Sequence, residues 1–200
     1  MSQDSDLDLV FVIDRSGSMS GSETDTMGGF NSFIEREAKK EFNTKVTTVL
    51  FDHKYELLYT RKDIKDVEKL TDKEYYVRGS TALLDAIGRT ITTLDKEIDN
   101  KVLFVVMTDG YENSSVEFTK TQIKNLMENH DWEFIYLGAD IGSFADADAI
   151  HFKKSRVARY RKDRQGVEDA FLSVSEASYD LRVCENLDNS DWNERLEKHD

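Results

Sequence analysis

Proline is absent from the 200 residues and cysteine occurs once, at Cys184. Without proline, chain reversals have to be set by Gly, Asn, Asp and Ser. A single thiol excludes an internal disulfide, and the opening stretch Met1 to Asp6 shows no basic start followed by an apolar core, so no secretory leader is expected. Apolar runs such as Leu9 to Ile13 and Leu103 to Met107 fall far short of the roughly 20 residues that cross a bilayer. The expectation is a soluble protein in a reducing, cytoplasmic setting, with no membrane role. Positive charge is scarce as well: 27 Lys and Arg stand against 40 Asp and Glu, a formal net charge of −13 that repels phosphate backbones and excludes nucleic acid as an expected partner. The four histidines, His53, His130, His151 and His199, lack the paired spacing of a zinc site and are expected at the solvated surface.

What remains is a globular composition, 38% hydrophobic and 34% charged, with room for one sizeable core. Leu7 to Ile13 and Lys101 to Thr108 are short, β-branched and almost continuously apolar, as central parallel strands covered on both faces should be. Lys45 to Asp52 and Tyr55 to Thr60 read as a hairpin turning at His53-Lys54. Trp132 to Leu137 is a further strand and Ala149 to Phe152 a weaker last one. Between them, apolar residues at steps of three and four predict helices over Thr24 to Glu41, from Leu83 to Ile98, over Phe118 to His130 and over Gln165 to Tyr179, the first entered through a capping box of Ser22 and Asp25. Such alternation implies an α/β fold: a Rossmann-like, doubly wound, mostly parallel sheet with one antiparallel edge strand and helices on both faces. The domain is expected over residues 1–180, followed by a charged tail over 181–200 that docks loosely or frays.

In open α/β sheets the site lies beyond the carboxyl ends of the strands. The two most buried strands end in Asp14 and Thr108-Asp109-Gly110. Ser16 and Ser18 follow Asp14 at alternate positions of a Gly-containing loop, so one carboxylate and two hydroxyls can face a common centre. Oxygen donors of this kind suit a hard divalent cation, whose charge the neutral hydroxyls leave largely unquenched.

Asp14-Arg15-Ser16-Gly17-Ser18 after a buried strand resembles the Asp-x-Ser-x-Ser signature of von Willebrand factor A domains. In that family a metal-ion-dependent adhesion site is completed by a Thr and an Asp from two later loops, which here correspond to Gly79-Ser80-Thr81 and Thr108-Asp109-Gly110. Three independent loops match in family order over about Leu7 to Phe152. The resemblance implies Asp14, Ser16, Ser18, Thr81 and Asp109 as metal ligands. It implies Mg²⁺, with Mn²⁺ or Ca²⁺ as alternatives, and a partner protein that presents Asp or Glu to the ion. The stretches Thr108 to Asn113 and Trp132 to Gly138 are similar to intracellular bacterial or phage members.

Each residue also has a plain reading: Asp14 and Asp109 as turn residues, Ser16 and Ser18 as partners of loop amides, Thr81 as a helix cap. Glu112, Asn113, Asp52 and Asp140 are expected at the rim, and the basic stretch Lys153 to Arg164 as a solvated loop and helix start. A phosphotransfer enzyme is the rival class, but the position two residues beyond Asp14, where a general acid would stand, is Ser16, and no enzymatic activity is expected. A third reading is a scaffold whose metal is structural, in which case the ion raises the melting temperature without altering partner capture.

Overall fold

The computed structural model describes residues 6–198, apart from the side chains of residues 141 and 142. Strand β1 (Leu7–Asp14) is followed by α1 (Glu23–Glu37), β2 (Thr44–Phe51), β3 (Tyr55–Asp63), α2 (Leu83–Leu94), β4 (Lys101–Thr108), α3 (Lys120–Glu128), β5 (Glu133–Gly138), α4 (Ile141–Ala149), β6 (Val157–Arg159), α5 (Arg164–Val183) and α6 (Glu194–Glu197). These strands form one sheet in the order β3-β2-β1-β4-β5-β6, parallel throughout except for the β2/β3 hairpin. The doubly wound sheet expected from the alternation is the fold observed.

Every residue of β1 is buried, because alternate side chains enter two separate cores. Leu7, Leu9, Phe11 and Ile13 face α1 and α5, where Phe11 meets the rings of Phe30, Phe33 and Phe171 at 5.3–6.2 Å. Val10 and Val12 face the opposite way, onto Leu83, Ile87 and Ile91 of α2. The sheet order reverses between β1 and β4, the switch point where a crevice opens at the strand ends. Asp14 closes β1 at this crevice and Asp109 follows directly on β4.

The structure departs from the sequence reading at several places. Ala149 to Phe152 is not a strand: Ala149 closes α4, His151 has a positive φ of 65°, and Ile150 and Phe152 bury their side chains from the turn that follows. The sixth strand lies further on, inside the basic stretch. Ser22 does precede α1, yet its side chain makes no cap; Glu23 instead accepts from the Gly21 amide at 2.6 Å. Helix α2 stops at Leu94, short of Ile98.

Over its described residues, 181–198, the tail is packed rather than frayed. Helix α5 runs on to Val183, and Leu187, Trp192 and Leu196 are buried in the same core as Phe11. Trp192 donates from its indole nitrogen to the Ser155 carbonyl at 3.0 Å, and Arg156, buried, pairs with both Glu133 and Asp188. His130 is likewise not a surface residue: its ring packs on Trp132 at 4.5 Å and bonds the Leu126 carbonyl and Asp95. His199 lies outside the described residues.

Candidate metal centre

Strand β1 delivers Asp14 into a closed environment, 0% exposed, where its carboxylate is held from two sides. Oδ1 accepts from the Ser16 amide at 2.6 Å and Oδ2 from the Thr108 hydroxyl at 2.6 Å. Its own carbonyl accepts from the Tyr75 hydroxyl at 2.7 Å. Burial pushes the Asp14 carboxyl up from 3.8 to about 6, against the lowering effect of the Thr108 and Ser16 hydrogen bonds. A neutralising cation would offset that desolvation cost.

The next donors come from the loop after β1. The Ser16 and Ser18 hydroxyls lie 3.2 Å apart, and the Thr81 hydroxyl, from the loop before α2, donates to Ser16 Oγ at 2.9 Å. Thr81 is therefore no helix cap; its hydroxyl is spent on the serine pair across 65 positions of sequence. The plain readings of Ser16 and Ser18 fail in the same way, since their hydroxyls meet each other. Ser16 and Thr81 are buried whereas Ser18 is exposed, so the cluster opens to solvent on the Ser18 side.

Gly110 maps the space the cluster encloses. A Cβ at this position would lie 2.8 Å from Thr81 Oγ1, 2.9 Å from Ser18 Oγ and 3.4 Å from Asp14 Oδ2, so three oxygens from two segments, the end of β1 with its loop and the loop before α2, converge beside a residue of a third that has no side chain. Asp109 adds a buried carboxylate whose two oxygens accept no hydrogen bond, an expensive arrangement unless a cation offsets the charge. Its one close polar contact among those described is the ammonium of Lys162, on the loop between β6 and α5. The residues fit a hard divalent ion: the Asp14 and Asp109 carboxylates for charge and three hydroxyls as neutral donors. Among the described residues no group of three or more His, Cys, Asp or Glu side chains is placed to hold a metal ion.

Around these five residues lies a supporting layer that the sequence reading missed or placed at the rim. Arg15, between the two signature residues Asp14 and Ser16, is wholly buried: it pairs with Asp52 at 3.1 Å and with Glu56, donates to the Glu74 carbonyl at 2.7 Å, and stacks on Tyr76. Asp52 is also fully buried rather than at the rim, and takes a second guanidinium from Arg78 at 2.7 Å. Asn113 accepts from the Thr81 amide at 2.9 Å, and Glu112 from the Leu84 amide at 3.0 Å, so both strap the Thr81 loop to the chain beyond β4. Asp140, ahead of α4, is exposed, as is Asn113. Gly79 permits the remaining close approach: its φ is +66°, its carbonyl accepts from the Gly17 amide at 3.0 Å, and the His53 ring covers the place of a side chain. None of these contacts has a local sequence signal, apart from the glycines.

The family profile of the von Willebrand factor type A domain matches residues 8–154. The chain belongs to the von Willebrand factor type A family. Its fold is shared with proximal thread matrix protein 1 from the mussel byssus, solved with a zinc-occupied MIDAS motif, at a TM-score of 0.57 and 16% identity, over 88% of this chain and 44% of that one. A von Willebrand factor type A protein from Catenulispora acidiphila superposes at 0.58 with 16% identity, over 87% and 43%. The PilB minor pilin from Streptococcus sanguinis does so at 0.65 with 10% identity, over 88% and 61%. This von Willebrand factor A chain thus spans less than two thirds of each of these structures. A search of curated proteins finds no match. Domains of this family with such a site bind divalent cations and mediate contacts between proteins, and among the described residues no helix is long and apolar enough to cross a membrane.

Proposed function

We propose that this domain is a non-enzymatic, cation-dependent binding module in which Asp14, Ser16, Ser18, Thr81 and Asp109 hold one Mg²⁺, with Mn²⁺ or Ca²⁺ as workable substitutes. The observation that carries the reading is the convergence of Asp14 Oδ2, Ser18 Oγ and Thr81 Oγ1 beside Gly110, next to a buried Asp109 carboxylate that accepts no hydrogen bond. An all-oxygen donor set favours these hard ions over zinc. When bound, the ion supplies an electrophilic vertex to which an Asp or Glu side chain of a partner protein can bind.

The protein's own residues do the rest. Thr108 and the Ser16 amide fix the Asp14 carboxylate, Asn113 fixes the Thr81 loop, and the exposed side of Ser18 leaves the approach open. We place the domain in the cytoplasm, on the strength of its single, exposed Cys184, and assign it no nucleic-acid role given its charge of −13. The test is affinity capture with and without Mg²⁺, with Asp14→Ala as the control. Retention that requires both the ion and Asp14 supports the reading; equal capture in excess chelator rejects it.

A further inference from the structure

The Lys162 ammonium donates to the Ser18 carbonyl at 2.7 Å and forms an ion pair with Asp109 Oδ2. It therefore touches two of the three loops that build the metal centre, arriving from the solvent side: the Lys162 side chain is 37% exposed and that of Asp109 only 1%. This differs from an ordinary surface pair, because the carboxylate it neutralises is buried and accepts no hydrogen bond.

The chain on either side of Lys162 is pinned. Tyr160 is buried, its amide donating to the Gly138 carbonyl at 3.0 Å and its hydroxyl lying 4.0 Å from Met19 Sδ, while Asp163 caps α5 by accepting from the Gly166 amide at 2.7 Å. Two anchors, three residues apart, thus deliver one cation to one carboxylate. We propose that Lys162 is a tethered cation that competes with the divalent ion for Asp109, so that metal loading drives its ammonium off the carboxylate and loosens the loop between β6 and α5. The inference rests on the reading of the five residues as a metal site. Its physical basis is that an ammonium and a divalent ion sharing one buried carboxylate repel each other at close range.

Calorimetric titration of Mn²⁺ into the full chain tests it. Lys162→Met removes the competitor and is expected to bind the ion about tenfold more tightly than the wild type, about 1.4 kcal/mol, while Lys162→Arg keeps the wild-type affinity to within about threefold. Lys162→Gln is a second neutral variant and has to move in the same direction. Hydrogen exchange at residues 161 and 162 of the wild type is expected to quicken on adding Mn²⁺. Equal or weaker binding by the two neutral variants overturns the inference. If the wild type binds Mn²⁺ and Asp14→Ala does not, that result leaves the site reading standing; if the wild type binds none, both fall.

Discussion

A carboxyl group raised to about 6 by burial ties the proposed metal chemistry of Asp14 to pH. Metal binding needs the carboxylate, so the rise in melting temperature produced by Mg²⁺ at pH 7 is expected to shrink as pH falls through about 6 and to vanish near pH 5. Without metal the sign reverses. The folded-state value lies above the unfolded one, so this group favours the folded state most below 3.8, and that contribution is lost as pH rises through about 6. Melting curves from pH 4 to 7.5 with chelator and with Mg²⁺ separate the two trends. Gly110 makes a second case at this scale. Gly110→Ala places a methyl group 2.8 Å from Thr81 Oγ1 and 2.9 Å from Ser18 Oγ, and is expected to weaken Mn²⁺ binding by more than about tenfold, or 1.4 kcal/mol, with circular dichroism unchanged. An unaltered affinity would mean that the ion sits elsewhere.

Among the elements, the Asp14 loop depends on the strand beside it. Arg15 and Asp52 are both wholly buried, and removing Arg15 leaves Asp52 with the part-exposed Arg78 alone and the Glu74 carbonyl without its donor; Arg15→Met is expected to cost about 2–3 kcal/mol in denaturant unfolding, well beyond a surface substitution. The tail offers a parallel test: Trp192 is buried, so Trp192→Ala is expected to cost about 3–5 kcal/mol in the same measurement, where a loose segment would show next to nothing. Both features escaped sequence reading for the same reason. Strands β1 and β4 are legible because an apolar run carries its own period, and Asp14, Ser16 and Ser18 because their spacing is local. The Arg15 network joins positions 15, 52, 56 and 78, which no local period connects. Strand β6 has only three residues, preceded by Arg156 and ending in Arg159, so its charge reads as loop; Arg156 is buried because Glu133 and Asp188 meet it, and both are distant in sequence. The apolar side chains of Ile150 and Phe152 misled in the opposite direction, since burial by itself does not need a strand.

For the whole molecule, a net charge of −13 bears on how the proposed acidic partner would arrive. Long-range repulsion would slow that encounter, and a cation held in the proposed site would reverse the sign locally. Association with an acidic partner is therefore expected to speed up as ionic strength rises from low values to about 0.15 M, where the Debye length falls to about 8 Å, the reverse of ordinary steering. Stopped-flow rates at three salt concentrations would show it, and a falling rate would contradict it. The margins of the sheet narrow the choice of contact further. At one side β3 pairs with β2 through two register shifts, carries Arg61, Lys62 and Asp63 in succession, and holds Arg61 at a φ of 45°. At the other, β6 pairs with β5 over only three residues. Neither margin offers a flat row of free amides for a visitor to zip onto. Neighbouring copies are thus poorly suited to fuse into a continuous ribbon, and recognition is left to side chains at the top of the sheet, where contacts can be made and undone without unravelling a backbone ladder.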